Sequence, residues 1–195
     1  MDKCNLCQDA TDFHPGLRGR NADSTKLLVV MHKPDSRISV PILISEIDPY
    51  VSALLNSRTG ENLTRLLGAC GLGLEDVYLT NVFKCVLSGN REPNQEEYSA
   101  CLHNLEEQIN EFQPRSIITS GGIPYSLLSR NAIGKKHYSN SQGEIRKHNT
   151  GTPMLVLPHF SALCVPMASQ WEEKRNFEAA QKFVKKYVNS SRSLF

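Results

Sequence analysis

Residues 77–101 run VYLTNVFKCVLSGNREPNQEEYSAC. The stretch opens on an apolar triplet, Val77-Tyr78-Leu79, and ends that run on Thr80-Asn81. A buried parallel strand has this form, because its carboxyl end hands polar side chains to a cleft. Cys85 follows four residues after Asn81, and fifteen residues separate Cys85 from Cys101. Between the two thiols lies Asn90-Arg91-Glu92-Pro93, a turn, and then Asn94, a helix-capping residue. Tyr98, Leu102, Leu105, Ile109 and Phe112 continue at helical spacing until Pro114 stops the helix. Strand, turn and helix in that order predict one unit of an alternating α/β chain.

Three further segments repeat the pattern. Lys26-Leu27-Leu28-Val29-Val30-Met31 reads as a buried strand that stops at the turn His32-Lys33-Pro34-Asp35. Ser116-Ile117-Ile118-Thr119 ends in Ser120-Gly121-Gly122 at the entry to a helix. Met154-Leu155-Val156-Leu157 ends in Pro158-His159-Phe160-Ser161. Thr59-Gly60-Glu61-Asn62 opens a helix with Leu63, Leu66, Leu67 and Cys70 on one face, closed by Gly71. An amphipathic helix with Trp171, Phe177 and Phe183 spans about 167–188. Residues 11–25 read as irregular, 38–55 as a loop with a short helix near 48–55, and 134–152 as a polar excursion.

The expected fold is therefore a three-layer α/β/α domain over 1–195 with a four-stranded, mostly parallel central sheet. Ligands of such sheets bind outside the carboxyl ends of the strands. That rule gathers His32 to Asp35, Asn81, Ser120 to Gly122 and His159 to Ser161 at one edge.

Composition bounds the function. The 195 residues are 39% hydrophobic and 22% charged, which suits a globular chain with one core. No apolar run approaches the roughly 20 residues of a membrane helix, and the N-terminus has no signal-peptide core. A monomeric, cytoplasmic protein that binds no membrane is expected. The net charge of +2 neither demands nor excludes nucleic acid. Six cysteines in such a compartment point to metal or cluster ligation rather than disulfides. Cys4, Cys7, Cys85 and Cys101 form C-x2-C…C-x15-C, which suits a [4Fe–4S] cluster or zinc. Cys70 and Cys164 read as ordinary cysteines.

These residues resemble the uracil-DNA glycosylase superfamily, in its iron–sulfur (family 4) branch. The likeness rests on Cys4 and Cys7, Thr80-Asn81-Val82-Phe83-Lys84-Cys85, Asn90-Arg91-Glu92-Pro93, Cys101 and Gly121-Gly122. His159-Phe160-Ser161-Ala162-Leu163 is similar to the family's His-Pro-Ser motif, and Pro166 and Trp171-Glu172 continue its tail. The resemblance implies a base-flipping hydrolase with a structural [4Fe–4S] cluster on Cys4, Cys7, Cys85 and Cys101. Two departures stand out. Where the family has Gly-Glu-Ala-Pro-Gly, this chain has Met31-His32-Lys33-Pro34-Asp35. Where the family stacks a Phe on the flipped base, this chain has Leu54-Leu55-Asn56-Ser57, with Tyr50 or Phe160 as replacement aromatics.

Cleaving an N-glycosidic bond passes through an oxocarbenium-like sugar and a departing base anion. Asn81 offers a donor and an acceptor to a pyrimidine edge. His159 donates to the oxygen on which charge grows. Asp35 orients or activates water, and His32, in the place of the family's Glu, shares that work. Lys33, Leu55, Ser161 and Gly121 are expected to line the substrate. Arg91, Lys84, Ser120 and the adjoining amides are expected to hold phosphates, and Leu163 to wedge into the emptied stack. Lys135, Lys136, Arg146 and Lys147 read equally as an extension of that face or as a solvated basic loop.

The reading is a monofunctional DNA glycosylase, with DNA as partner, that leaves an abasic site. The favoured target is a modified pyrimidine such as hydroxymethyl- or glucosyl-cytosine of phage DNA, with a role in anti-phage defence. Ordinary uracil excision in DNA repair, and a non-catalytic DNA-binding or replication-interfering module, are the alternatives.

Overall fold

The computed structural model describes residues 7–34, 54, 56–129, 138, 141–163 and 170–189. Its strands and helices run in the order β1 (Ala10–Phe13), β2 (Leu17–Arg18), α1 (Ala22–Thr25), β3 (Leu27–Met31), α2 (Arg58–Ala69), β4 (Val77–Asn81), β5 (Cys85–Leu87), α3 (Gln95–Phe112), β6 (Ser116–Ser120), α4 (Gly122–Ser129), β7 (Ile145–Lys147), β8 (Pro153–Leu157) and α5 (Gln170–Tyr187).

The four predicted strands form the parallel centre of the main sheet, with β3 between β4 and β6, and β8 beyond β6. Every residue of β3 and β6 is buried, as expected of strands covered on both faces. Alternation sorts their side chains. Leu27, Val29 and Met31 enter one core with Leu63, Leu66 and Leu67 of α2 and Phe183 and Val184 of α5. Leu28 and Val30 enter the other, with Leu105, Ile109 and Phe112 of α3 and Tyr125 and Leu128 of α4. The period of two along a strand thus produces the three layers.

The sheet has six strands rather than four. β2 and β7 add antiparallel edges beside β4 and β8. Neither carries an apolar pattern: β2 is two residues long, and all three residues of β7 are exposed. Charged, short edges are how sheets avoid pairing with other chains, so these strands resist pattern reading. Residues 11–25 are likewise not irregular throughout. β1 pairs with β5 in a small second sheet that sets Phe13 opposite Cys85.

Helix ends follow capping chemistry. α2 begins at Arg58 rather than Thr59, because the Ser57 hydroxyl accepts from the Gly60 amide at 3.1 Å. α3 begins on a capping box: the Asn94 side chain accepts from the Glu97 amide at 2.9 Å, and the Glu97 carboxylate accepts from the Asn94 amide at 2.8 Å. Of the expected short helix near 48–55, only Leu54 lies within the described residues. It is helical and buried.

Candidate active site

Backbone hydrogen bonds stitch the four strand ends together. The Val82 amide donates to Met31 at 2.8 Å and the Phe83 amide to His32 at 2.9 Å, fixing the β3 turn beside the end of β4. The Gly121 amide donates to Leu157 at 3.0 Å, and the Phe160 amide donates to the Ser120 hydroxyl at 2.9 Å. His32, Asn81, Gly121 and His159 therefore end strands of one sheet edge, as the topology predicts.

His159 precedes a short 3₁₀ turn, Phe160–Ala162. Its Nδ1 accepts from the Ser161 amide at 3.3 Å and lies 2.7 Å from the Ser161 hydroxyl. An accepting Nδ1 puts the proton of a neutral ring on Nε2. Gly121 backs this ring. A Cβ there would lie 3.5 Å from His159 Cδ2, and its φ of +98° is one that side chains rarely adopt.

Asn81 closes β4 with 1% of its surface exposed, and its carbonyl accepts from Lys84 Nζ. Lys84 is fully buried, with Nζ also 2.7 Å from Thr80 Oγ1 and 2.6 Å from Gln108 Oε1. Burial pushes its ammonium down to about 7, against an opposing pull from Cys101. A lysine with no accessible surface makes no phosphate contact in this conformation, so the DNA-binding expectation for Lys84 gives way to an internal strut. The Gln108 amide extends the strut to Pro15 O at 2.5 Å and Tyr78 Oη at 2.7 Å.

His32 stacks on Tyr98, with ring centroids 6.0 Å apart and planes 11° apart. Its Nε2 lies 2.5 Å from the Tyr98 hydroxyl and 3.5 Å from Glu92 Oε2. Burial pushes His32 down to about 4, with Glu92 pulling up and Lys33 and His159 pushing further down. Lys33 is tied to the Asn90–Glu92 turn. It donates to Asn90 O at 2.9 Å, Asn90 Oδ1 at 3.2 Å and Arg91 O at 3.1 Å, and pairs with Glu92 at 3.2 Å. Those four acceptors make it a clasp rather than a substrate contact.

Arg91 is also committed. Its guanidinium forks onto Asp9 at 2.8 and 2.6 Å and onto Glu97 at 2.8 and 2.7 Å. Both carboxyl groups are held below their usual range by this arginine. A guanidinium so occupied anchors the turn and α3 to the N-terminal segment instead of a phosphate. Ser120 is buried and spends its hydroxyl on Phe160, which leaves no hydroxyl surface for DNA. Leu163 is 1% exposed and belongs to the core between α2 and α5, so it stands inside the fold rather than at its surface. Asp35, Leu55, Cys4, Tyr50, Lys135 and Lys136 lie outside the described residues. On the far edge, Arg146 pairs with Glu144, and Lys147 is exposed.

Cys85 and Cys101 are buried in one apolar cluster with Phe83 and Leu87, and Cys7 and Phe13 pack against it. Three of the four expected thiols thus share one apolar site, a donor set and dielectric suited to an iron–sulfur cluster. Among the described residues, no three His, Cys, Asp or Glu side chains are placed as a ready metal-binding group. Cys70 stands apart, packed against the α2 core, where burial pushes its thiol up to about 11. It is half-buried, and its raised pKa disfavours the thiolate.

Three site residues escape sequence reading. Asn62 is buried on α2 and donates to Phe160 O at 2.6 Å, pinning the turn that follows His159. Glu92 reaches His32 from the turn before α3 and Tyr98 from the first turn of that helix. The one available signal is Asn62 itself, a polar residue next to the apolar stripe Leu63, Leu66, Leu67.

Residues 23–186 match the family model described as "Uracil DNA glycosylase superfamily". Among curated relatives, a protein of Archaeoglobus fulgidus named "Type-4 uracil-DNA glycosylase" is 32% identical over 119 residues, 61% of this chain and 53% of that protein. One of Saccharolobus solfataricus, with the same name, is 44% identical over 127 residues, 65% of this chain and 54% of its own. One of Pyrobaculum aerophilum, also so named, is 44% identical over 80 residues, covering 41% and 38%. The matched stretches span about half, or less, of these relatives' lengths. No helix among the described residues is long and apolar enough to cross a membrane.

Proposed function

The chain belongs to the uracil-DNA glycosylase superfamily, and on that premise we propose that it is a DNA glycosylase hydrolysing the N-glycosidic bond of a flipped pyrimidine. The observation that supports the reading is the stitched strand edge, at which β4 ends in Asn81 and β8 is followed by a His159 whose Nδ1 accepts from the Ser161 amide. Nε2–H donates to the base oxygen as negative charge grows there, and a donor aimed at developing charge is the largest single aid to such a reaction. Asn81, 1% exposed, would have to be uncovered before its amide could read the base edge. His32 and Asp35 handle the attacking water: its oxygen joins C1′, the C1′–N bond breaks, and the electron pair leaves with the base.

The finer reading is a substituted pyrimidine, with hydroxymethyl- or glucosyl-cytosine of phage DNA favoured over plain uracil and a defence role to match. His32 replacing the family's Glu, and the absence of its Phe from Leu54-Leu55-Asn56-Ser57, support it. Cys4, Cys7, Cys85 and Cys101 would hold a [4Fe–4S] cluster that cross-links the N-terminal segment to the 85–101 loop. The shared apolar cluster of Cys7, Cys85 and Cys101 supports that assignment.

The test is a panel of duplex and single-stranded oligonucleotides carrying one uracil, cytosine, hydroxymethyl-cytosine or glucosylated cytosine. Abasic-site formation should be fastest on a substituted base. Strong excision of uracil with no gain on larger bases would refute the finer reading. Inactivity on every base would refute the enzyme.

A further inference from the structure

The turn 90–92 and the first turn and a half of α3 do more than shape the loop between two cysteines. Tyr98 lies on α3, Glu92 just before its cap, and both converge on one nitrogen of His32. Nε2 is 2.5 Å from the Tyr98 hydroxyl and 3.5 Å from Glu92 Oε2, and the Tyr98 hydroxyl donates to that carboxylate at 3.3 Å. We propose that Tyr98 and Glu92 are positioning residues that hold His32 with its proton on Nε2, so that Nδ1 carries the lone pair that takes a proton from the attacking water. This rests on the glycosylase reading only for the last step.

The hydrogen count supports the assignment. A hydroxyl has one proton and an ionised carboxylate has none. If the Tyr98 proton goes to Glu92, then Nε2–H must donate to the Tyr98 oxygen. An unprotonated Nε2 could only accept the Tyr98 proton, which would take that donor from Glu92 and leave the lone pair facing the carboxylate across 3.5 Å. Tyr98 keeps its proton, because burial and Glu92 both push its pKa up. The clasp is itself held. Lys33 pairs with Glu92 Oε1 at 3.2 Å, and Arg91 anchors the same turn to Asp9 and Glu97. The arrangement parallels a carboxylate that orients a catalytic imidazole through its far nitrogen.

In the reaction, water gives its proton to His32 Nδ1 as its oxygen bonds to C1′, and the departing base takes the C1′–N electron pair. The imidazolium that forms is stabilised by Glu92 and opposed by Lys33 and His159, the charged or titratable groups among the described residues that bear on it besides Tyr98. His32 is neutral at pH 7, so it enters the cycle in the form that can accept.

Nitrogen-15 NMR of the holoprotein separates the two ring tautomers directly. His32 should be in the Nε2–H form, and Tyr98→Phe should convert it to a mixture of the two. In single-turnover assays, Glu92→Gln should slow excision about tenfold. It should also move the acid limb of the pH profile to lower pH, since removing the carboxylate removes the group that raises His32. A purely structural role for Glu92 would lower the plateau and leave that limb in place. An Nδ1–H ring in the unsubstituted protein, or an unchanged tautomer in Tyr98→Phe, overturns the proposal. An Nε2–H ring that Tyr98→Phe disturbs, in a protein that excises no base, upholds the positioning and removes the glycosylase reading instead.

Discussion

Asn62→Leu isolates one hydrogen bond whose loss should be felt both in stability and at the site. Asn62 Nδ2 donates to Phe160 O at 2.6 Å, and both residues are buried. Leucine keeps most of the volume, which argues against a large cavity. What remains is a buried carbonyl that keeps the Leu163 amide at 3.2 Å and loses its shorter bond, a cost of about 1 kcal/mol. At this chain length each kcal/mol lowers Tm by about 2–4 °C, so a cost near ~1 kcal/mol should appear as a fall of roughly 2–4 °C. Because Phe160 follows His159 directly, the same change should let the Nε2–H donor drift. Outright loss of such a donor costs ~10²–10³ in rate, and a loosened one should cost roughly tenfold.

The assay is thermal unfolding alongside single-turnover abasic-site formation, in the native and His159→Ala backgrounds. The stability loss should persist in both. The rate loss should vanish once His159 is gone, because two changes acting through one group are not additive. A rate loss of equal size in both backgrounds would show that Asn62 does not act through His159. An unchanged Tm would show that the Leu163 amide alone satisfies the Phe160 carbonyl.

Burial pushes His32 from 6.5 to about 4, so the fold favours its neutral ring. Its contribution is complete above pH 6.5 and drains away as pH falls through 6.5 toward 4, a loss on the order of 3 kcal/mol. Urea melts at pH 7.5 and 4.5 should show that loss, and His32→Asn should remove most of it. Lys84→Met should leave the salt dependence of DNA binding unchanged, since Lys84 is fully buried; a slope reduced by about one would restore it as a phosphate contact. Purified protein should absorb broadly near ~400 nm and carry about four irons per chain. Cys85→Ser and Cys101→Ser should lose that colour together with stability, and stoichiometric zinc without iron would refute the cluster.

The four central strands were legible because burial on both faces writes a continuous apolar run, as in Leu27-Leu28-Val29-Val30-Met31. The positions of His32, Asn81, Gly121 and His159 followed from topology alone, since parallel strands carry their carboxyl ends to one edge. Which side chains stay accessible there was not legible. Lys84 and Arg91 read as phosphate ligands because they are cations beside the site. The sequence does not say that Thr80, Asn81 and Gln108 surround one, or that Asp9 and Glu97 occupy the other. Both depend on contacts of long sequence separation, Arg91 to Asp9 spanning 82 residues. Leu163 fails as a wedge for the same reason, its apolar character fitting core and surface roles equally until packing decides.

These internal commitments bear on how the site works. The Asn90–Glu97 segment is held by Arg91 to Asp9 on one side and by Lys33 to the β3 turn on the other. Cys85 and Cys101 flank it, and Cys7 is two residues from Asp9. A cross-link through these thiols would therefore fix the same segment that presents Glu92 and Tyr98 to His32. Ordering a segment of that length costs roughly 1–2 kcal/mol per residue, which the Lys33 and Arg91 contacts and the Asn94–Glu97 capping box offset in part. The thiol cluster can contribute the remainder without approaching the substrate. On this view it acts on the rate through the placement of His32.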